Sequence, residues 1–279
     1  MRSVIFFALC AILFVSCRRN VIKDMQALNL KNQLIGVENA LNARQLGGYS
    51  IGSKVIKENL LLRCGKLSQL SGTDSALLTD KYKVQCIYDL RGEEEIVSER
   101  DVVPSGARYF PLPISFSGSE RRESIKFDSQ DAVIGMLLEN AEHPAVQNMC
   151  ANLYEIIFFE ESFQEIYRKF FADLVSLNPD NGAVLWHCTQ GKDRAGCASA
   201  MLLAALGADR NHAPIVSQIP VKTEAQSSVI NTLIGANPVI FEAALDKIDD
   251  RYGSFGNYLK ECIGVTEPMM QALRERYLK

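Results

Sequence analysis

The stretch that most constrains the fold lies late in the chain, between two turn signals. Asn178-Pro179-Asp180-Asn181-Gly182 breaks the backbone, and AVLWHC (residues 183–188) follows as a continuous apolar run. The polar residues Thr189 to Arg194 then lead into AGCASAMLLAAL (195–206), which Gly207 follows. An uninterrupted apolar run bounded by turn residues reads as a strand buried on both faces. The small, helix-forming residues after it read as a helix that Gly207 stops. Strand, glycine-containing loop and helix, in that order, place the loop at the carboxyl end of a parallel strand, where α/β proteins bind ligands.

Other segments supply the partners such a strand needs. KVQCIYDL (83–90) is rich in β-formers and reads as a strand, as does RYFPL (108–112), closed by Pro111 and Pro113. SFSGSERRES (115–124) reads as an exposed loop, followed by helical patterns over about 131–140 and 146–158. Ser162 with Glu165 fits a capping box, and Phe163, Ile166, Phe170, Leu174 and Leu177 form one apolar stripe behind it. The expectation is an α/β protein with a mostly parallel central sheet flanked by helices.

Five residues separate Cys188 from Arg194, and the loop they form feeds a helix N-terminus. Inward-pointing N–H groups and the helix dipole make such a loop an anion cradle suited to phosphate. The same field stabilises a thiolate at its floor, lowering a thiol pKa that is otherwise ~8.5. Arg194 has the fork geometry to hold two phosphate oxygens. A rhodanese-type sulfur-transfer loop pairs cysteine and arginine similarly, but with one residue fewer between them. A purely structural buried cysteine fits poorly, because burying Lys192, Asp193 and Arg194 beside it is expensive.

HCTQGKDRAG, residues 187–196, resembles the HCxxGKDRxG loop of the bacterial protein-tyrosine/serine phosphatase family, some members of which also act on phosphoinositides. Asn42-Ala43-Arg44-Gln45-Leu46-Gly47-Gly48-Tyr49 resembles that family's NxRDLGGY motif, and Leu62 to Ser68 its LxRSGxLS segment. Asp89-Leu90-Arg91 matches its DLR, and Tyr252-Gly253-Ser254-Phe255 through Tyr277-Leu278 its C-terminal helices. The likeness runs from residue 38 onward. It implies a cysteine-dependent phosphatase fold and hydrolysis of phosphoric monoesters, most naturally on phosphotyrosine proteins with dual specificity open, through a phosphocysteine, with no metal or cofactor. It makes Cys188 the nucleophile, Arg194 the phosphate clamp and Asp193 the general acid, later the base for water. Thr189, Gln190, Gly191, Ala195 and Gly196 complete the phosphate-binding loop. Lys192 would add charge for a second phosphate or an acidic substrate. His187 would orient the loop, with Asn42, Arg44, Asp89 and Arg91 in support or in purely structural roles.

Four departures from that pattern bear on activity. Gln45 stands where the family has Asp, and Ile114-Ser115 stand where some relatives carry an acid. Ala195 replaces the Ser or Thr whose hydroxyl helps the cysteine leave. Asn211-His212-Ala213-Pro214 follows Arg210 where the family has a helix. A phosphate-binding pseudophosphatase and a phosphoinositide phosphatase therefore stand as alternatives.

The N-terminus reads as a targeting segment. Arg2, an apolar core from Val4 to Val15 and Ser16-Cys17 make residues 1–17 a signal peptide resembling a lipoprotein signal, with Cys17 the lipidation site. The apolar run is too short for a membrane span of ~20 residues. A plain secretory signal or a signal anchor is the alternative. Residues 18–37 then form a tether and 38–279 the phosphatase domain, with 118–160 a helical lid or a packing insertion. This places the protein at a bacterial cell envelope, anchored by lipid or secreted, acting on a phosphorylated protein or phosphoinositide. A net charge of −3 with no broad basic excess argues against nucleic acid as partner. The oligomeric state has no sequence signal. The irregular spacing of the cysteines beyond Cys17 argues against a disulfide framework, and Cys86 and Cys197 read as buried thiols in apolar runs.

Overall fold

The computed structural model describes residues 33–115, 143, 151–208 and 238–279. The signal segment with Cys17, most of the tether, Cys150, most of the segment 118–160 and the stretch after Arg210 lie outside the described residues. The helical pattern over 131–140 lies there too.

The strands are β1 (Arg44–Gln45), β2 (Ser50–Ile51), β3 (Lys54–Val55), β4 (Leu61–Cys64), β5 (Cys86–Asp89), β6 (Arg108–Pro111) and β7 (Val184–His187). β2 and β3 form a separate hairpin, and the others form one sheet in the order β1-β4-β7-β5-β6. β1 is antiparallel to β4, and the remaining pairs are parallel. Every residue of β4, β5 and β7 is buried. With a side-chain period of two, both sheet faces must then be covered.

They are covered by different material. Leu61, Cys86, Tyr88, Val184 and Trp186 belong to the larger core. This is packed by α3 (Leu153–Phe159), α4 (Glu161–Ser176), α5 (Asp193–Leu206), α6 (Pro238–Tyr252), α7 (Phe255–Glu261) and α8 (Glu267–Tyr277). Leu62, Cys64, Ile87 and Leu185 face a smaller core completed by Ile35, Val37, Leu67 and Leu78. The two short helices on the loops after β4 and β5 are α1 (Gly72–Ala76) and α2 (Glu93–Ser98).

Phe170 of α4 meets Tyr88 and Trp186 edge-on, at ring separations of 5.3 and 5.8 Å. Such pairs contribute ~0.5–1.5 kcal/mol beyond the area they bury. Trp186 Nε1 donates to Ala195 O and Ser199 Oγ, each at 3.1 Å, which fastens β7 to α5. Gly207 ends α5 in the left-handed conformation, as its sequence position implies.

The capping box at Ser162 does not form. α4 starts at Glu161, with Glu160 as its N-cap and no side-chain cap. Tertiary contacts set this boundary instead. Phe158 O, at the end of α3, accepts from Gln164 Nε2 at 2.9 Å and Tyr258 Oη at 2.5 Å. The stripe itself is buried at Phe163, Phe170, Leu174 and Leu177, and it widens to take in Tyr167 and Phe171. Within 118–160, residues 153–159 form α3, whose Tyr154, Ile157 and Phe158 are core residues. That end of the segment packs into the larger core.

Candidate active site

β7 ends in register with both neighbours, His187 standing opposite Cys64 of β4 and Asp89 of β5. Cys188 therefore leaves the carboxyl end of the central strand, and it is buried. Leu90 N donates to His187 O at 2.9 Å, and Lys66 N to Thr189 O at 3.1 Å. The turn is possible because Gly191 adopts φ +65°, and any Cβ there would lie 2.3 Å from the carbonyl carbon of Cys64. α5 begins at Asp193, so the loop from Cys188 to Lys192 lies at the positive end of a helix dipole. Gln190 is half-buried, and Gly196 is buried in the first turn of α5.

On the β4 side the loop is gripped by its own carbonyls. Asn42 sits at φ +59°, a conformation asparagine tolerates, and its Nδ2 donates to Gly191 O at 3.1 Å. Arg63 Nη2 donates to Gly191 O at 2.6 Å and to Lys192 O at 3.1 Å. Arg44 Nη1 donates to Asn42 Oδ1 and holds that side chain in place. Arg44 and Arg63 are register partners across β1 and β4, so their buried side chains share a face. Burial, then the neighbouring Arg63, brings Arg44 down to about 9. Burial lowers Arg63 too, and a negative charge on Cys188 is the first influence that opposes it. Arg63 lies within the quoted LxRSGxLS segment, yet a lone arginine in a strand carries no spacing signal that separates it from a structural one.

On the β5 side the network is acidic. Arg91 donates from Nε to both Asp89 oxygens, and from Nη2 to Asp89 Oδ2 at 2.7 Å and Asp101 Oδ2 at 2.8 Å. Tyr109 Oη donates to Asp89 Oδ2 at 2.6 Å. His187 Nε2 lies 3.1 Å from Asp101 Oδ2, and its Nδ1 lies 3.7 Å from Asp89 Oδ1. Burial alone would push the Asp89 carboxyl up; hydrogen bonds from Arg91 and the His187 charge more than reverse this. Asp89, Asp101 and His187 come within 4.8 Å of one another, the spacing of a metal site, but Arg91 already supplies a cation to both carboxylates. Among the described residues, the side-chain hydrogen bonds of Arg91 and Asp89 go to Asp101, Glu99 O, Tyr109 and each other, and Asp89 lies 3.7 Å from His187 Nδ1. Asp101 had no sequence signal.

Arg194, the phosphate clamp of the sequence reading, is held on both arms of its guanidinium. Its Nη1 donates to Glu95 Oε2 at 2.6 Å and Ile114 O at 3.1 Å, and its Nη2 to Glu95 Oε1 and Thr189 Oγ1, each at 3.0 Å. Thr189 Oγ1 also donates to Glu95 Oε1. Burial would raise the Glu95 carboxyl; the Arg194 charge and the hydrogen bonds of Arg194, Thr189 and the Gly92 amide bring it down to about 2. Glu95, in the first turn of α2, thus holds the guanidinium fork in a carboxylate–arginine pair. It was hidden in the run Glu93-Glu94-Glu95, which reads as an ordinary solvated helix start.

Lys192 is 2% exposed, and its Nζ lies 3.3 Å from Asp193 Oδ2. Burying these cations is affordable because each meets a carboxylate, Lys192 that of Asp193 and Arg194 that of Glu95. Asp193 Oδ1 accepts from Tyr154 Oη at 2.8 Å. Gln45 is buried away from the loop, its Oε1 accepting from Asn59 N at 2.6 Å, a bond that an amide oxygen makes as well as a carboxylate. Ala195 is fully buried at the head of α5.

Residues 35–279 match the sequence model of the Tyrosine phosphatase family. A protein of Cupriavidus necator, named "Putative tyrosine-protein phosphatase", is 26% identical over 253 residues, covering 85% of each chain.

Proposed function

The chain belongs to the tyrosine phosphatase family, whose members are cysteine-dependent hydrolases, and from that premise we propose that it hydrolyses phosphotyrosine monoesters on proteins through a phosphocysteine. The carrying observation is the placement of Cys188 at the carboxyl end of the central strand, with α5 starting just beyond its loop and Arg63 holding the loop carbonyls of Gly191 and Lys192.

In this reading Cys188 Sγ attacks phosphorus in line as the P–O bond to the leaving group breaks, and Asp193 gives its proton to the departing oxygen. Water then attacks phosphorus. Asp193 takes a proton from it, and Cys188 leaves as thiolate, releasing inorganic phosphate. Loop amides, the α5 dipole and Arg63 stabilise the charge. Arg194 joins them by exchanging part of its Glu95 contact for phosphate oxygens, one bidentate anion for another. The buried position of Lys192 weakens the case for a second phosphate, and so favours protein over phosphoinositide substrates.

The experiment is turnover of p-nitrophenyl phosphate by the full chain beside Cys188→Ser, followed by phosphotyrosine peptide, phosphoserine peptide and phosphoinositide. The expected result is vanadate-sensitive turnover, lowered by at least about a thousandfold in Cys188→Ser, with phosphotyrosine preferred. Vanadate binding without turnover in the wild type supports the pseudophosphatase reading, and a phosphoinositide preference supports that alternative. The targeting segment leads to a second proposal, an envelope protein lipidated at Cys17. Fatty-acid labelling that is lost in Cys17→Ser is its test.

A further inference from the structure

We propose that Tyr154 is the positioning residue for the acid–base carboxyl of Asp193. The inference rests on the reading of Asp193 as general acid and base. Tyr154 lies on α3, is 1% exposed, and stands edge-on to Phe241 of α6 at a ring separation of 5.1 Å. Its phenol is therefore aimed by the core, not by solvent. Its Oη donates to Asp193 Oδ1 at 2.8 Å, whereas Lys192 Nζ lies 3.3 Å from Oδ2.

The two carboxyl oxygens are thus chemically distinguished. Oδ1 is engaged by a fixed neutral donor, so the transferable proton sits on Oδ2, where the Lys192 ammonium at 3.3 Å favours its release. When Cys188 Sγ bonds to phosphorus, the proton leaves Oδ2 for the leaving-group oxygen as its bond to phosphorus breaks. In the second half, Oδ2 takes a proton from water as the new P–O bond forms, and the P–S electron pair returns to sulfur. The Tyr154 bond to Oδ1 persists through both halves. Burial, then the Asp193 charge, raises the phenol well above its ordinary range, so it stays a donor at every working pH. A helix outside every catalytic motif thereby delivers one atom to the chemistry.

The test compares the full chain with Tyr154→Phe, Asp193→Asn and the double variant. Phenyl phosphate needs protonation of its leaving group, and 2,4-dinitrophenyl phosphate does not. Since kcat/KM reports formation of the phosphoenzyme, Tyr154→Phe is expected to lower it about tenfold for phenyl phosphate and less than about twofold for the dinitrophenyl ester. No further loss is expected on the Asp193→Asn background. Equal losses on both substrates, or a loss that adds in full to Asp193→Asn, overturn the proposal. An Asp193→Asn single variant that treats the two esters alike removes Asp193 as the acid and the proposal with it, and that failure is seen without any change at Tyr154. If Tyr154→Phe does not fold, 3-fluorotyrosine placed at position 154 keeps the hydroxyl. Its fluorine resonance is expected to shift on Asp193→Asn, and an unmoved signal overturns the proposal.

Discussion

On the β5 flank of the catalytic strand, Arg91 meets Asp89 and Asp101, and His187 lies against the same two carboxylates. On the β4 flank, Arg44 and Arg63 lie side by side, and their hydrogen-bond partners are Asn42 and two loop carbonyls. Both flanks are buried, but only the first matches its charges internally. A guanidinium pair without a carboxylate is costly in a folded interior. In the proposed reaction a bound phosphate relieves it. The β5 flank is then suited to holding strand ends in place, and the β4 flank to keeping positive potential behind the proposed nucleophile, Cys188.

Variants on each side test this division. The largest effect is expected from Arg91→Met, which leaves Asp89 and Asp101 buried without their cation. It should cost about 3–5 kcal/mol of stability by urea unfolding. Arg63→Met removes a cation whose hydrogen bonds go to the Gly191 and Lys192 carbonyls rather than to a carboxylate, so stability should fall by less, about 1–3 kcal/mol, while kcat/KM falls by about tenfold or more. Similar stability losses in the two variants would erase the contrast.

Ala195 sits between the flanks at the head of α5. Restoring a hydroxyl with Ala195→Ser should speed phosphoenzyme breakdown, raising kcat about tenfold with kcat/KM nearly unchanged. Rapid mixing should show the wild type's burst of leaving group shrink in this variant.

The smallest effect concerns Glu95, the charge-matched contact on the other side of the loop. Its carboxyl is held at about 2 against an ordinary 4.5, so the stability it contributes is complete above pH 4.5 and is lost as pH falls towards 2. Glu95→Gln should narrow the gap between urea midpoints measured at pH 7 and pH 3. An unchanged gap would show that Glu95 is not tied to Arg194 in solution.

Much of this was legible in the sequence because the site is local. AVLWHC, its loop and its helix are consecutive, and period and turn chemistry placed Cys188 at a strand end before any coordinates. Asn42, Arg44 and Arg91 were likewise marked by motif. Glu95, Asp101 and Tyr154 were not, because each reaches the site across the fold from a segment whose local pattern has another reading. Glu95 resembles a helix-start acid, and Tyr154 resembles one more core aromatic. The start of α4 shows the same limit, since Ser162 and Glu165 satisfy a local rule that tertiary bonds to Phe158 O override. The burial of Lys192 was likewise not legible, because sequence supplies the charge and only packing says where the ammonium points.

Trp186 is the chain's one tryptophan, and its indole N–H is bonded to Ala195 O at the head of α5. The protein therefore carries a built-in optical probe two residues from Cys188. Vanadate binding or phosphocysteine formation that shifts α5 will change the emission of that indole directly. Loop movement can then be timed by stopped-flow fluorescence on unlabelled wild-type protein, with no second tryptophan to obscure the signal.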